Sequence, residues 1–266
     1  MSGVMERTLA LLERLATDVA GVPLATLADE LDMPRSAAHR LLTDLAAQGY
    51  VRQSRERGLY MLTTKLVSLG LNYLKQSGVV DLTQPILDRL AEASGELVRL
   101  GVVDVDHITW VSLSQGATSG LRYDPDHGID VMLSCTSSGV AWLSTLPEDD
   151  AIALVSKQGI ATPSQRGPNA PASINALMKQ VRLARKQGIA FTTETYAAGL
   201  NAMSTPILAS NNGMGTGAVG VLAMSGPSVR LTEAKMQQWA PELKNAAADI
   251  ARASAASPLF RRAYER

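Results

Sequence analysis

Arginine side chains are concentrated between positions 34 and 57, a spacing that indicates contact with a polyanion. This stretch holds five arginines against two acidic residues, so its local charge is +3 although the formal net charge of the whole chain is zero. Guanidinium groups bind phosphate oxygens and pair bidentately with guanine, so the cluster predicts a nucleic-acid surface. The five are Arg35, Arg40, Arg52, Arg55 and Arg57.

Two short helices joined by a tight turn are predicted to position the first two arginines. Apolar residues recur at helical spacing from Leu24 to Leu31, Asp32-Met33-Pro34 interrupts the repeat, and a second apolar stripe runs from Ala37 to Leu45. The face opposite this second stripe is polar and basic. It carries the predicted DNA contacts Arg35, Ser36, His39, Arg40 and Thr43. This is the helix-turn-helix pattern, in which the second helix enters the major groove.

The remaining arginines are predicted to lie on a β-hairpin, the wing of a winged helix-turn-helix. Beyond the second helix the residues alternate in character, with Arg52 on a strand and Arg55 and Arg57 at the tip. We expect these three side chains to contact phosphates, and the minor groove is the alternative contact. An amphipathic helix near the N-terminus would complete a three-helix core, so residues 1–63 are predicted to form a DNA-binding domain.

The rest of the chain is predicted to form a linker helix and a larger α+β domain. Residues 64–79 have a helical pattern that is too short for a domain and too long for a tight turn. From residue 80 to residue 266 the patterns indicate helices flanking an antiparallel set of five or six strands. Residues 104–107 are typical of a hairpin turn, and the last long helix is expected to restart at Pro241.

Composition describes a globular protein with no predicted export signal or membrane span. The chain has 266 residues, of which 46% are hydrophobic and 19% charged. Cys135 is the only cysteine, which excludes an internal disulfide and fits a reducing cytoplasm. Glu6 and Arg7 interrupt the N-terminus before an apolar signal core could form. The uncharged stretch 195–229 is divided by Gly, Pro and Asn into pieces of strand length.

Several blocks of sequence, in the right order, resemble the IclR family of transcriptional regulators over nearly the full length of the chain. They are LATLADELDMPRSAAHRLLTDLAAQGYV, LSCTSSGVAWLSTLP, GLNAMSTPI, AMSGP and RLTEAKMQQWAPEL. The resemblance implies a winged helix-turn-helix, a linker helix and a GAF-like α/β effector-binding domain for a small metabolite. It also implies dimers, often paired as tetramers. Asp32 stands where many members have Gly, and we expect it to adopt the left-handed conformation.

Effector-binding residues follow from the resemblance, position by position. They are Leu121, Tyr123, Ser137, Ser138, Thr192, Ala202, Ala223 and Ser225. Leu121 and Tyr123 would belong to a lid or wall. The turn at Thr136 opens a helix whose free N–H groups and serine hydroxyls suit a carboxylate, so we predict a small organic acid and favour an aromatic carboxylate over a sugar acid. Val140 replaces a common Lys of the family, and Asn201 replaces a common Arg near the effector pocket.

Three further motifs indicate different chemistry. Gly215–Gly220 match the glycine pattern of dinucleotide-binding loops, but the residues that follow have the pattern of a strand and not of a helix. Cys135 with His107 or His127 would suit a thiol hydrolase, and the acids and histidine of residues 104–107 would suit a metal ion. Buried packing is the more common role of a single cysteine, and acidic residues are frequent in turns.

The sequence therefore predicts a ligand-responsive regulator of transcription in the cytoplasm, which is not an enzyme and uses no cofactor or metal. Its predicted partners are double-stranded operator DNA, a small organic acid and further copies of the same chain. The rival class is a small-molecule or metal sensor, or an enzyme, with a site around Cys135 and no DNA binding. Repressors and activators share this architecture, so the sign of regulation stays open.

Overall fold

The structure, a computed structural model of the chain, describes residues 3–125, 131–162, 164, 166–208, 217–253, 255 and 257–262. The chain divides into two compact units, Met1–Gln76 and Ser77–Arg266. This division falls inside the segment that was predicted as a linker helix, residues 64–79.

The first unit is a small helical domain with a two-stranded wing. Its elements are α1 (Val4–Ala16), α2 (Leu24–Glu30), α3 (Arg35–Ala47), β1 (Val51–Gln53), β2 (Tyr60–Leu62) and α4 (Lys65–Ser77), which continues to the boundary. Leucines from the first three helices meet in its core, where Leu11, Leu27 and Leu42 are fully buried. Strands β1 and β2 pair antiparallel. The predicted winged helix-turn-helix is confirmed.

The turn between α2 and α3 depends on the backbone of Asp32. Its φ is +46°, so the expected left-handed conformation is confirmed. The N–H of Met33 then donates to the carbonyl of Ala28 at 2.9 Å, which closes the turn. Pro34 is the N-cap of α3, so the helix begins with Arg35 in its first, exposed turn.

In the part of the chain that the structure describes, the second unit contains a five-stranded antiparallel sheet with helices on both faces. Its strands are β3 (Leu97–Asp104), β4 (His107–Gln115), β5 (Ala190–Thr193), β6 (Leu200–Leu208) and β7 (Ala218–Pro227). Its helices are α5 (Val79–Ser94), α6 (Ser137–Leu143), α7 (Glu148–Gln158), α8 (Ile174–Gln187), α9 (Glu233–Ala253) and α10 (Pro258–Arg262). The strand order is β4-β3-β7-β6-β5. The predicted α+β fold is confirmed.

Two hydrophobic cores lie on opposite faces of this sheet. One fills the space under α5 and α9 and includes Leu87 and Leu243. The other lies under α6, α7 and α8 and includes Leu143 and Leu177. Because both faces are covered, a central strand has no solvent side, and β7 is buried at every residue. The alternation of apolar and polar residues is therefore weak in the buried strands that line the space under α6.

Helix α9 continues through Pro241 without interruption, so the expected restart at this residue is wrong. Pro241 and Gln237 are both exposed. Because proline has no backbone N–H, the carbonyl of Gln237 has no helical hydrogen-bond donor at position 241. Water can bind that carbonyl on the solvent side, while Met236 and Ala240 stay buried on the other. No described helix has both the length and the apolar character that crossing a membrane requires.

The hairpin between β3 and β4 turns through a strained valine. Val105 has φ +54°, a left-handed conformation that costs an L-residue about 1–2 kcal/mol and is least suited to a β-branched side chain. The surrounding contacts hold it there. Asp104 is paired with His107 in the strand register, and Lys157 of α7 binds the carboxylate of Asp106.

We predict that Val105→Asn raises the free energy of unfolding by about 1 kcal/mol, because Asn tolerates the left-handed region. Urea denaturation monitored by circular dichroism measures the change. Val229→Asn is the matched control, since Val229 is also exposed and has no left-handed φ. An equal gain from both substitutions would contradict the role assigned to strain in the turn.

Candidate functional site

Helix α3 presents one polar, fully accessible face. All five residues predicted to meet DNA on this helix are exposed, while Ala38, Leu41, Leu42 and Leu45 are buried on the opposite side. The five are Arg35, Ser36, His39, Arg40 and Thr43. The structure therefore brings these side chains together on one surface of the helix.

Two of these side chains already have contacts within the domain. The guanidinium of Arg35 lies 3.7 Å from the carboxylate of Asp29, and both side chains are about two-thirds exposed, so the pair is weak and easily exchanged for a phosphate. The hydroxyl of Thr43 donates to the carbonyl of His39 at 2.8 Å. Thr43 can thus accept a hydrogen bond from a base but has no hydrogen left to donate.

The wing exposes the other three predicted arginines, Arg52, Arg55 and Arg57. Its turn is closed by a hydrogen bond from the N–H of Ser54 to the carbonyl of Leu59 and by a left-handed Gly58. Two arginines project from this short loop, and the third lies on β1. The arrangement suits contact with phosphates along one backbone.

Lys65 links the start of α4 to the end of α3, a role that sequence reasoning did not identify. Its Nζ donates to the carbonyl of Gln48 at 2.6 Å, just beyond the end of α3. The same ammonium lies 4.3 Å from the centre of the Tyr50 ring. The hydroxyl of Thr63 adds a hydrogen bond to the carbonyl of Gly49. The end of α3, the wing and the start of α4 are therefore held as one piece.

A cavity of about 60 Å³ lies between the sheet and α6 in the second unit. Seven of the eight predicted effector residues line it: Tyr123, Ser137, Ser138, Thr192, Ala202, Ala223 and Ser225. Leu121 does not; its side chain is 66% exposed. Lining residues that sequence reasoning missed are Arg99, Trp110, Val131, Met132, Thr136, Tyr196 and Leu200.

Strand register explains why residues distant in sequence meet at this cavity. Thr192 pairs with Ala202, and Ala202 pairs with Ser225, which forms one row across three strands. Arg99 pairs with Ala223, two residues before Ser225 on β7, so it belongs to the next row on the same face. Both rows face α6.

The serines at the start of α6 are already hydrogen-bonded to a third serine. Ser204 of β6 lies with its Oγ 2.7 Å from that of Ser137 and 3.0 Å from that of Ser138. The three hydroxyls carry three hydrogens, and the two bonds use two of them, which leaves one for a ligand. Thr136 caps the helix, since its hydroxyl oxygen accepts from the N–H of Gly139. The predicted carboxylate site thus has fewer spare donors than the sequence indicated.

Arg99 is the only formally charged side chain among the described residues of the cavity wall. Its guanidinium carbon lies 4.0 Å from the centre of the Trp110 ring and 5.8 Å from that of Tyr123. Burial lowers the pKa of Arg99 from its ordinary value, because desolvation disfavours the charged form. The Arg99 Nε and the Ser225 Oγ are both buried without a hydrogen-bond partner.

The segment that carries Tyr123 is tied to the sheet at two points. Gln115 donates to the carbonyl of Tyr123 at 3.0 Å. Arg230 donates to the carbonyl of Leu121 at 2.7 Å and binds both carboxylate oxygens of the buried Glu96 at 2.6 and 2.8 Å. This hydrogen bond of Glu96 also raises the pKa of the Arg230 guanidinium. Leu121 is therefore held by its carbonyl without lining the cavity, and its assignment to the effector site stays a prediction.

The two departures from the family pattern do not lie in the cavity wall. Asn201 belongs to the opposite face of β6 from its neighbours Leu200 and Ala202, because side chains alternate along a strand. Its amide donates to the carbonyl of Leu231 at 2.9 Å. Val140 is buried in the core under α6. Asn201 therefore lies between two residues of the cavity wall, but its own side chain is not part of that wall.

The alternative sites gain no support from the geometry. Cys135 is buried, and burial raises its pKa to about 11, so its thiolate is scarce at neutral pH. The carboxylate of Asp106 is bound by Lys157 and His107, which lower its pKa to about 2. No cluster of three metal-ligating side chains occurs among the described residues. His127 lies outside them.

The glycine motif at residues 215–220 belongs to the connection between two antiparallel strands. Ala218–Pro227 form β7, so a strand and not a helix follows the glycines. The dinucleotide-binding arrangement requires a helix there. Residues 209–216, which include Gly215, lie outside the described residues.

Two family models match the chain: the IclR helix-turn-helix domain over residues 4–55, and the bacterial transcriptional regulator IclR C-terminal over residues 71–252. Among curated proteins, the acetate operon repressor of Salmonella typhimurium is 28% identical over 247 residues, which cover 92% of this chain and 88% of that protein.

Solved structures with the same fold cover both units. An IclR transcriptional regulator from Alicyclobacillus acidocaldarius is similar with a TM-score of 0.77 at 17% identity, over 93% of this chain and 98% of that one. An IclR homologue from Microbacterium hydrocarbonoxydans, complexed with 4-hydroxybenzoate, is similar with a TM-score of 0.72 at 19% identity, over 94% and 100%. At these identities the likeness supports the fold alone.

Proposed function

Because the chain belongs to the IclR family of bacterial transcriptional regulators, we propose that it binds operator DNA through α3 and the wing and senses a small organic acid in the cavity of its second unit. The observation that carries the proposal is the pairing of an exposed basic helix-turn-helix with a separate unit that encloses a cationic cavity. The acetate operon relative is named a repressor, which favours repression as the sign. Such a protein works in the cytoplasm and returns its ligand unchanged.

For DNA recognition, we assign base and phosphate contacts to α3 and phosphate contacts to the wing. The first turn of α3 is exposed and carries Arg35 and Ser36, with His39 and Arg40 one turn further on. Arginine at this place can pair with guanine O6 and N7 in the major groove. Arg52, Arg55 and Arg57 would neutralise phosphates and so contribute affinity that is independent of sequence.

Replacement of a wing arginine should weaken binding to all DNA sequences alike. We expect Arg55→Ala to lower affinity for a fragment of the protein's own promoter region and to reduce the slope of log K against log salt by about 1. Fluorescence anisotropy titrations at several salt concentrations measure both. Arg89→Ala, an exposed arginine of the second unit, is the control. If Arg55→Ala behaved like the control, the wing assignment would be wrong.

For the effector, we propose a small organic acid, with an aromatic carboxylate preferred. The cavity wall combines hydroxyl groups, one arginine and three aromatic rings, and a single positive charge suits a carboxylate. The 4-hydroxybenzoate complex of the Microbacterium homologue is in line with this class of ligand. The predicted contacts at Ser137, Ser138, Thr192 and Ser225 stay part of the proposal.

An acid that binds in the cavity should also change DNA binding. We expect one member of an organic-acid panel to raise the melting temperature of the protein and to release promoter DNA over the same concentration range. Ser138→Leu should abolish both responses, because it fills the space beside α6. Ser156→Leu, at an exposed serine of α7, should abolish neither. A normal response from Ser138→Leu would refute this location for the ligand.

We further propose that the protein is a dimer, and that dimers can pair. Helix α4 exposes a succession of apolar side chains, with Val67, Leu69 and Leu71 each half or more exposed, and α1 exposes Val4 and Met5. Apolar surface of this kind on a helix favours association with another chain. A dimeric helix-turn-helix protein reads two half-sites of an operator.

Sedimentation velocity tests the dimer directly. We expect Leu71→Glu to shift the protein from dimer to monomer and to weaken operator binding, because a charge would be buried in the shared surface. Leu183→Glu, which changes an exposed leucine of α8, should leave the sedimentation coefficient unchanged. Dimers of undiminished stability in Leu71→Glu would rule out this surface.

A further inference from the structure

The cavity contains a positive charge without a counter-ion. Arg99 forms no salt bridge with any described residue. Its polar neighbours are Tyr123, whose hydrogen bond with Arg99 favours the charged guanidinium, and Tyr196. Arginine remains protonated in proteins even where burial opposes it. A buried cation without an anionic partner is unfavourable, so an anion that enters the cavity supplies a missing partner.

Several hydroxyl groups of the wall already take part in hydrogen bonds, which limits the donors that an anion can use. The hydroxyl of Thr192 donates to the carbonyl of Ala202 at 3.2 Å, and that of Thr136 donates to the carbonyl of Met132 at 2.9 Å. Ser137 and Ser138 are bonded to Ser204, as described above. The buried donors without a partner are the Nε of Arg99 and the Oγ of Ser225.

We infer that Arg99 and Ser225 bind the charged end of the effector, and that this effector is a planar monocarboxylate. The inference rests on the proposed function, because it assumes that the cavity is the effector site. One oxygen of the carboxylate would accept from the Nε of Arg99, and the hydroxyl of Ser225 would donate to the carboxylate. A single cation in the described wall matches a single negative charge.

The aromatic side chains of the wall favour a flat ligand and keep the guanidinium oriented. Trp110 stacks against the Arg99 guanidinium. Its ring is held close to the backbone opposite Gly101, where an added Cβ would lie 3.3 Å from the ring and 2.5 Å from a methyl group of Ile108. Tyr123 and Tyr196 face the same space. A cavity of about 60 Å³ with few spare hydroxyl donors suits a compact planar acid better than a sugar acid.

Calorimetric titration with matched acids and amides tests the inference on the full chain. The probes are acetate, pyruvate, benzoate and 4-hydroxybenzoate, each compared with its neutral primary amide. Concentrations extend to about 10 mM, so that dissociation constants up to about that value are detected. We expect a planar acid to bind the wild-type protein at least about tenfold more tightly than its amide, since a hydrogen bond to a charged group is worth that much.

Arg99→Gln should remove this preference, so that acid and amide bind equally weakly. Arg99→Lys keeps the charge but loses Nε, so its preference for acid over amide should lie between those of the wild type and Arg99→Gln. Ser225→Ala should lower the affinity for the acid a few-fold. Arg89→Gln changes an exposed arginine of α5 that lies beside α9. This variant is the matched control and should bind the acid like the wild-type protein. A cooperative melting transition of each variant shows that it is folded.

The possible results separate the two proposals. If an acid binds the wild-type protein and Arg99→Gln binds it with undiminished affinity, the anchoring role of Arg99 is refuted while acid sensing stands. The anchoring role of Arg99 is also refuted if the wild-type protein binds an acid and its amide with equal affinity. This comparison needs no variant. If no acid of the panel binds, both acid sensing and the inference fail.

Discussion

A sheet covered by helices on both faces has no solvent-exposed face. Every polar side chain on its central strands therefore needs a hydrogen-bond partner inside the protein. In the second unit this requirement is met almost throughout. Ser204 binds the serines of α6, Asn201 donates to the carbonyl of Leu231, and the hydroxyl of Thr205 donates to the carbonyl of Gly188. Among the described residues, the buried side-chain atoms without a hydrogen-bond partner are the Nε of Arg99, the Oγ of Ser225 and the Oδ1 of Asn201, and the first two belong to the cavity wall.

The same constraint shapes the wall around the cavity. Glu96 is buried at the start of β3 and would be unfavourable alone, but Arg230 binds both of its carboxylate oxygens. Gly226 makes room for this pair, because an added Cβ would lie 2.1 Å from a carboxylate oxygen of Glu96. The third hydrogen bond of Arg230 holds the backbone at Leu121. A buried ion pair therefore positions the segment that ends in Tyr123.

How much the sequence revealed depended on how local the signal was. The helix-turn-helix is encoded in consecutive residues, and its apolar spacing, turn and basic face were sufficient to predict the fold and the exposed side chains. Seven cavity residues followed from a family resemblance, not from their own pattern. Arg99 was missed because β3 is largely buried, so alternation does not show which side chains face the cavity, and the pairing of β3 with β7 joins distant residues. Ser204 was missed for the same reason.

Two small side chains occupy the middle of the rows that line the cavity. Ala202 lies between Thr192 and Ser225, and Ala223 lies between Arg99 and Ser204. The methyl side chains of the two alanines form no hydrogen bonds. Their size can change without disturbing the surrounding polar contacts. Within this architecture, single substitutions at these alanines could therefore change the shape of the cavity while the sheet and the helix-turn-helix unit stay as they are.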